Sequence, residues 1–251
     1  TRKESSAASD VYKRQVLVFL LLLAGCGEDD PRKVVAFGDS NTRGSNWQFR
    51  DYPKAEKWVN LLQTSLQGQY KINNAGIGGE TTEDARLRFR KDVLDDEPAY
   101  LFIMFGTNDA AILAKGLPRV SKKRFKENLY YFVKESRRRG IEPILMTCLP
   151  IVEGSGDNIF YYARYRAASF EKYGGARKWH DSYNDVTRET ARELDVPLID
   201  NWKNIVKKAG GATDEKLIHS GFIDPSGNHL TPKGARIVFE GINESKVIKT
   251  S

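Results

Sequence analysis

Short apolar runs alternate along this chain with longer stretches in which apolar residues recur every three or four positions. The runs are the length of buried strands, and the longer stretches have the period of amphipathic helices. Strands are predicted at 33–37, 70–73, 100–105, 142–147 and 196–199. Helices are predicted at 55–67, 82–91, 122–139, 183–194 and 232–245.

Strands that alternate with helices predict one parallel sheet with helices on both faces, and therefore an α/β fold. Four of the runs are almost continuously apolar, as expected for strands covered on both sides. The run at 70–73 is more polar and is predicted to form an edge of the sheet. We find no internal repeat and no second composition regime, so 33–251 is predicted to be a single domain.

Three residues that could contribute to a site come just after predicted strands. Ser40 comes after the first, Gly79 after the second and Asn108 after the third. Ligands of open parallel sheets bind beyond the carboxyl ends of the strands. The three residues are therefore expected on one rim, as a catalytic site requires.

Four blocks in this order carry a family resemblance: Gly38-Asp39-Ser40-Asn41, Asn74 to Thr82, Gly106-Thr107-Asn108-Asp109 and Asp224 to Pro232. They resemble the SGNH (GDSL-type) hydrolase superfamily over roughly residues 33–245. The resemblance implies a flavodoxin-like three-layer α/β/α sandwich with a central sheet of about five parallel strands. It also implies that Ser40 is the nucleophile and His229 the general base. The N–H groups of Ser40 and Gly79 and the amide of Asn108 would stabilise the oxyanion.

The sequence departs from the family pattern at the third catalytic residue. An Asp usually stands three residues before the His, and Ser226 occupies that position here. Asp224, five residues before His229, reaches the imidazole if the loop at Gly227 bulges. Otherwise Ser226, a backbone carbonyl or water orients the ring, and the enzyme is a Ser-His dyad. Asp39 is interpreted as a structural residue.

Residues 1–32 are not expected to belong to the folded domain. Residues 1–15 are expected to be a non-native leader, because Asp10 to Gln15 can be encoded by a transposon end used to fragment DNA; they also resemble the charged start of a signal peptide. Residues 16–25 are predicted to be a signal h-region ending in a lipobox, since the nine-residue apolar run is too short to span a membrane. Cys26 is the predicted lipidation site, and 26–32 a short tether. The protein is then an exported bacterial lipoprotein, periplasmic or at the cell surface.

Composition narrows the chemistry further. The net charge is +7, but the basic runs at 122–124 and 137–139 fall in a helical pattern and are interpreted as a solvated helix face, with no nucleic-acid partner expected. The only other cysteine, Cys148, ends an apolar run and is expected to pack in the core. His180 and His219 are expected in surface or hydrogen-bonding roles. No cofactor and no metal site are predicted, because no pair of histidines has ligand spacing.

The leading hypothesis is a serine esterase for short acyl groups, with acetyl esters of polysaccharide as substrates. Aromatic residues follow the nucleophile at Trp47, Phe49 and Tyr52, and more aromatic residues lie with arginines in 151–183. Such side chains suit stacking against sugar rings or binding of an aryl or acidic substrate. They suit a helix packed on the core equally well. The alternatives are a lysophospholipase or aryl esterase, and a lipid-anchored binding protein without turnover. The sequence leaves the oligomeric state open.

Overall fold

The computed structural model describes residues 32–46, 48, 50–113, 116–154 and 167–250. The expected leader, the lipobox, Cys26, Trp47, Phe49 and 155–166 lie outside these residues.

Five parallel strands form the central sheet in the order β2-β1-β3-β4-β5. They are β1 (Arg32–Gly38), β2 (Tyr70–Gly76), β3 (Tyr100–Met104), β4 (Glu142–Met146) and β5 (Leu198–Ile199). In the register, Val34 of β1 lies opposite Ile72 of β2 and Tyr100 of β3. This strand order is that of flavodoxin-like folds, and its reversal point lies beside β1. The expected fold class is confirmed.

Helices connect the strands on both faces of the sheet. They are α1 (Ser40–Arg43), α2 (Trp58–Ser65), α3 (Thr82–Asp92), α4 (Lys122–Arg138), α5 (Ala167–Phe170), α6 (Ala176–Glu193), α7 (Asn201–Ala209), α8 (Asp214–Ser220) and α9 (Pro232–Ser245). Within the described residues, single 3₁₀ turns also lie at Lys54–Glu56, Leu94–Asp96 and Glu171–Tyr173.

Alternate residues of the strands supply two separate cores. In β1, Val34 and Ala36 pack with Trp58 and with apolar residues of α7, α8 and α9. Val35 and Phe37 point to the other face and pack with residues of α3, α4 and α6. Because successive side chains of a strand point to opposite faces, a fully apolar strand is what this three-layer arrangement requires.

The sequence-based elements agree with this architecture, with some corrections. The edge position of β2 and the bounds of α9 are as predicted, including Thr231 as the N-cap and Pro232 in the first turn. The helix predicted at 183–194 begins earlier, at Ala176, because Trp179 and Tyr183 share its buried face. The strand predicted at 196–199 is shortened to two residues. Helices α1, α5, α7 and α8 were not predicted.

Two aromatic residues of the 151–183 region belong to the core. Trp179 donates from its indole N–H to the carbonyl of Ala110 at 2.7 Å, and the hydroxyl of Tyr183 donates to the carbonyl of Val120 at 2.6 Å. Both rings are buried. Their polar groups therefore fasten α6 to the segment after β3, and neither ring is a platform for a sugar.

Candidate active site

Ser40 lies where β1 gives way to the short helix α1. The carboxylate of Asp39 caps this helix by accepting the N–H of Asn41 at 2.9 Å. A Cβ at Gly38 would lie 2.1 Å from the Thr42 hydroxyl, so only glycine lets α1 fold back so tightly on the strand. The N–H of Ser40 belongs to the first turn of a helix, where N–H groups lack intrahelical acceptors. It is thus suited to receive a ligand's oxygen.

Gly79 lies in the loop after β2. Its φ of +80° is in the left-handed region that favours glycine, and space beyond its Cβ position is open for at least 4 Å. The neighbouring Gly78 approaches the Ser40 side chain, since a Cβ built on it would lie 3.8 Å from the Ser40 Cβ. The guanidinium of Arg119 holds the loop by donating to the Gly79 carbonyl at 2.8 Å. This leaves the Gly79 backbone accessible beside Ser40.

Asn108 follows β3 and points back across both loops. Its amide nitrogen donates to the carbonyl of Glu80 at 3.0 Å and to Asp39 Oδ2 at 3.2 Å. The amide thus links the segments that carry Ser40 and Gly79. Both of its hydrogens have acceptors in the free protein, so a substrate oxyanion has to take the place of one of these acceptors.

Two carboxyl groups are buried beneath this rim. Burial raises the pKa of Asp39 to about 7, and the charge of Asp109 adds to the rise, against donors of Asn41 that lower it. Burial also raises the pKa of Asp109 to about 6. Asp109 Oδ1 accepts the N–H of Thr82 at 3.0 Å, so it fixes the start of α3 under the Gly79 loop.

His229 lies in a hairpin-like loop between α8 and α9, and it does not follow a strand of the sheet directly. The N–H of Asp224 donates to the carbonyl of His229 at 2.9 Å, and an antiparallel bridge pairs Ile223 with Leu230. Inside the loop, the hydroxyl of Ser226 lies 2.7 Å from His229 Nδ1 and 2.5 Å from Asp224 Oδ1. The hydroxyl therefore bridges the carboxylate and the imidazole.

The residue after the nucleophile joins the two parts of the site. The side chain of Asn41 donates to the carbonyl of Asn228 at 3.1 Å and accepts the N–H of Leu230 at 2.9 Å. These two bonds flank His229 on both sides and bring the His229 loop against Ser40. Asn41 is only 3 % exposed, so its polar groups depend on these partners.

The structure thus brings Ser40, Gly79 and Asn108 to one rim, with the loop of His229 and Asp224 held against it. Sequence reasoning missed the bridging roles of Asn41 and Arg119 and the part of Asp109. No spacing or periodicity signals such contacts, because each joins segments far apart in the chain. The bulge proposed at Gly227 is found as a turn, in which the Gly227 N–H donates to the Asp224 carbonyl and φ is +80°.

The remaining candidates take other roles. His180 is buried, with its Nδ1 2.8 Å from the Ala176 carbonyl, and His219 is exposed on α8. Burial raises the pKa of the Cys148 thiol to about 12, so it packs in the core as a neutral group. Within the described residues there is no cluster of potential metal ligands. No helix in the same part of the chain is long and apolar enough to cross a membrane.

Comparisons with known proteins identify the family. The family model described as GDSL-like Lipase/Acylhydrolase matches residues 34–242. A Bacillus subtilis (strain 168) protein named "Uncharacterized lipoprotein YqeF" is 65% identical over 241 residues, covering 94% of this chain and 99% of the relative. The chain therefore belongs to the GDSL-like lipase/acylhydrolase family, and it is a carboxylic ester hydrolase.

Two more distant proteins have named substrates. The rhamnogalacturonan acetylesterase RhgT of Bacillus subtilis (strain 168) is 25% identical over 236 residues, covering 85% of this chain and 90% of the relative. A solved structure of an acetyl-xylooligosaccharide esterase from Geobacillus stearothermophilus shares the fold with a TM-score of 0.62 at 19% identity, covering 87% of this chain and 95% of that one.

Proposed function

We propose that this hydrolase is a serine esterase that removes acetyl groups from polysaccharide outside the cytoplasm. The observation that carries the proposal is the junction at Ser40, where the accessible Gly79 backbone, the Asn108 amide and the His229 loop converge. The names of the two acetylesterases support the acetyl group and the glycan, and the lipoprotein name of the 65% identical relative supports export.

The arrangement suits acyl transfer through a covalent intermediate. Ser40 Oγ attacks the ester carbonyl while His229 Nε2 takes its proton. Negative charge then forms on the carbonyl oxygen, where the N–H groups of Ser40 and Gly79 and the Asn108 amide stabilise it. The intermediate collapses, and His229 returns the proton to the departing sugar hydroxyl. Water repeats the sequence on the acyl-serine, which releases acetate and restores Ser40.

The nucleophile is tested by Ser40→Ala. We expect hydrolysis of p-nitrophenyl acetate to fall by several orders of magnitude with an unchanged unfolding midpoint, because the hydroxyl forms the bond and contributes little packing. Ser245→Ala is the matched control, since its hydroxyl donates to the Ile242 carbonyl within the last turn of α9 and takes no part in the candidate site. Substantial turnover by purified Ser40→Ala protein refutes the serine mechanism.

Substrate class is tested with the native chain. We expect acetate release from acetylated xylan or rhamnogalacturonan, and faster cleavage of acetyl than of octanoyl p-nitrophenyl esters. A preference for long chains or for lysophospholipid supports the lysophospholipase alternative. Absence of turnover on every ester favours the binding-protein alternative.

Membrane attachment is tested by Cys26→Ser in the native gene expressed in a bacterium. The substitution is expected to release the protein from the membrane fraction. An unmodified Cys26 in membrane-derived protein, detected by mass spectrometry, contradicts the anchor.

A further inference from the structure

Ser226 occupies the position where the family usually has an Asp, and it lies between His229 and Asp224. The Ser226 hydroxyl contacts His229 Nδ1 at 2.7 Å and Asp224 Oδ1 at 2.5 Å. Asp224 and His229 are 2 % and 5 % exposed, so little water competes for these contacts. A carboxylate, a hydroxyl and an imidazole thus form one chain of hydrogen bonds.

Counting hydrogens fixes the direction of this chain. The Ser226 hydroxyl has a single hydrogen, and its nearest acceptor is the charged Asp224 oxygen at 2.5 Å; His229 Nδ1, at 2.7 Å, and the amide oxygen of Asn228, at 3.0 Å, are farther. Charge-assisted hydrogen bonds are the stronger and shorter ones. With its hydrogen given to Asp224, the Ser226 oxygen can only accept from His229, so Nδ1 carries the ring hydrogen. Nε2 is then unprotonated, as a general base must be.

We propose that Ser226 is a positioning residue that transmits the charge of Asp224 to His229. The proposal rests on the proposed serine mechanism. When the Ser40 proton moves to His229 Nε2, the ring becomes a cation whose Nδ1–H still donates to the Ser226 oxygen. The Ser226 hydroxyl still donates to Asp224. No bond to hydrogen breaks along this chain, and the negative carboxylate stabilises the imidazolium through the polarised hydroxyl.

The loop is built to hold this geometry before substrate binds. The Ser226 N–H donates to Asp224 Oδ1 at 2.9 Å, so the same oxygen that accepts the hydroxyl also fixes the turn. The Val152 N–H donates to the Gly227 carbonyl at 2.8 Å, and a Cβ on Gly227 would lie 2.6 Å from the Val152 carbonyl. Gly227 is thus required for the loop to rest against the segment after β4.

The decisive experiment compares kcat and KM for p-nitrophenyl acetate in a set of variants. Ser226→Ala is expected to lower kcat by about 10²-fold with KM changed less than about threefold. Removal of a triad acid that contacts the His directly costs up to about 10⁴ in kcat, and an acid that acts through a hydroxyl should contribute less. Asp224→Asn keeps an acceptor for the Ser226 N–H but removes the charge, and should lower kcat similarly. The double variant Asp224→Asn/Ser226→Ala should be no worse than the worse single variant, because both break one chain.

Rescue separates this role from a structural one. Asp224→Asn/Ser226→Asp restores a carboxylate at the family position and is expected to recover at least tenfold in kcat over Asp224→Asn alone. A structural hydroxyl would not be replaced by a charge in this way. Ser226→Thr, which keeps the hydroxyl, provides the conservative variant if Ser226→Ala fails to fold, and should retain most of the rate.

Other outcomes overturn the proposal. If Ser226→Ala keeps the native kcat while Asp224→Asn loses it, Asp224 acts on His229 directly. If both substitutions are silent, the enzyme is a dyad. Ser40→Ala distinguishes failure of the proposed function: activity that survives it removes the serine mechanism, whereas activity lost with Ser40→Ala and kept with Ser226→Ala removes only the relay.

Discussion

The two sides of the candidate site are built in different ways. The oxyanion side, formed by the loops of Gly79 and Asn108, grows directly from the ends of β2 and β3 and lies over the buried carboxyls of Asp39 and Asp109. The base side is the loop 222–231, which belongs to no strand of the sheet. It is held by its own main-chain bridge and by the two bonds of Asn41.

The strands of the sheet place the oxyanion side, whereas a few side-chain contacts place the base side. Parallel pairing sets the strand ends, so many backbone hydrogen bonds share the work of placing Gly79 and Asn108. The base loop depends on a few long-range contacts, and loss of one should be felt at the imidazole. We therefore expect a substitution on the oxyanion side to lower the rate by removing a hydrogen-bond donor. Loss of a contact that holds the base loop should lower the rate by displacing the imidazole.

Asn108→Ala tests the oxyanion side and has the largest expected effect of these substitutions. Removal of one oxyanion donor should lower kcat by about 10²–10³-fold, because the charge that forms on the carbonyl oxygen loses a preorganised partner. KM for p-nitrophenyl acetate should change little. A change confined to KM assigns Asn108 to substrate positioning.

The same division explains what the sequence could predict. Apolar runs mark β1 to β4, and the strand ends then place Ser40, Gly79 and Asn108 on one rim without any knowledge of side-chain contacts. The short polar helices α7 and α8 have no comparable signal, since tertiary packing of a few residues such as Ile205 and Leu217 stabilises them.

The contacts of the base loop were beyond sequence reasoning. The sequence offered Asp224, or otherwise Ser226, a backbone carbonyl or water, as the partner of His229. The structure places the Ser226 hydroxyl against both the Asp224 carboxylate and the His229 ring. That arrangement depends on the turn at Gly227 and on its contact with Val152, which lies 75 positions away in the chain. A contact between residues so far apart in the chain produces no periodic pattern in the sequence.

Asn41→Leu tests the base side. The substitution has similar volume but leaves the Leu230 N–H and the Asn228 carbonyl without this partner, so the loop should lose its register against Ser40. We expect kcat to fall by about 10²-fold, since a displacement of about 1 Å can cost that much.

The matched control is Asn201→Leu, another buried asparagine whose amide donates to the Thr147 carbonyl at 2.9 Å. It should cost comparable stability in denaturant unfolding, because it also leaves a buried polar group unpaired. Its effect on kcat per folded molecule should be small. Equal rate losses in the two variants contradict a specific role for Asn41.

Asp109→Asn tests whether the oxyanion side is under electrostatic strain, and its expected effect is the smallest. Asp109 Oδ2 has no hydrogen-bond partner among the described residues, and burial raises the pKa of the group to about 6 from 3.8. The folded chain therefore holds this proton more tightly than the unfolded chain does. The stability that the protonated group contributes is fully present below about pH 3.8 and is lost as pH rises through about 6.

Between pH 5 and pH 7 this loss amounts to about 1 kcal/mol for Asp109. The free energy of unfolding of Asp109→Asn should therefore fall less over that range than that of the native chain, by roughly this amount. Denaturant unfolding at the two pH values measures the difference. A pH dependence as steep in Asp109→Asn as in the native chain contradicts electrostatic strain on the oxyanion side.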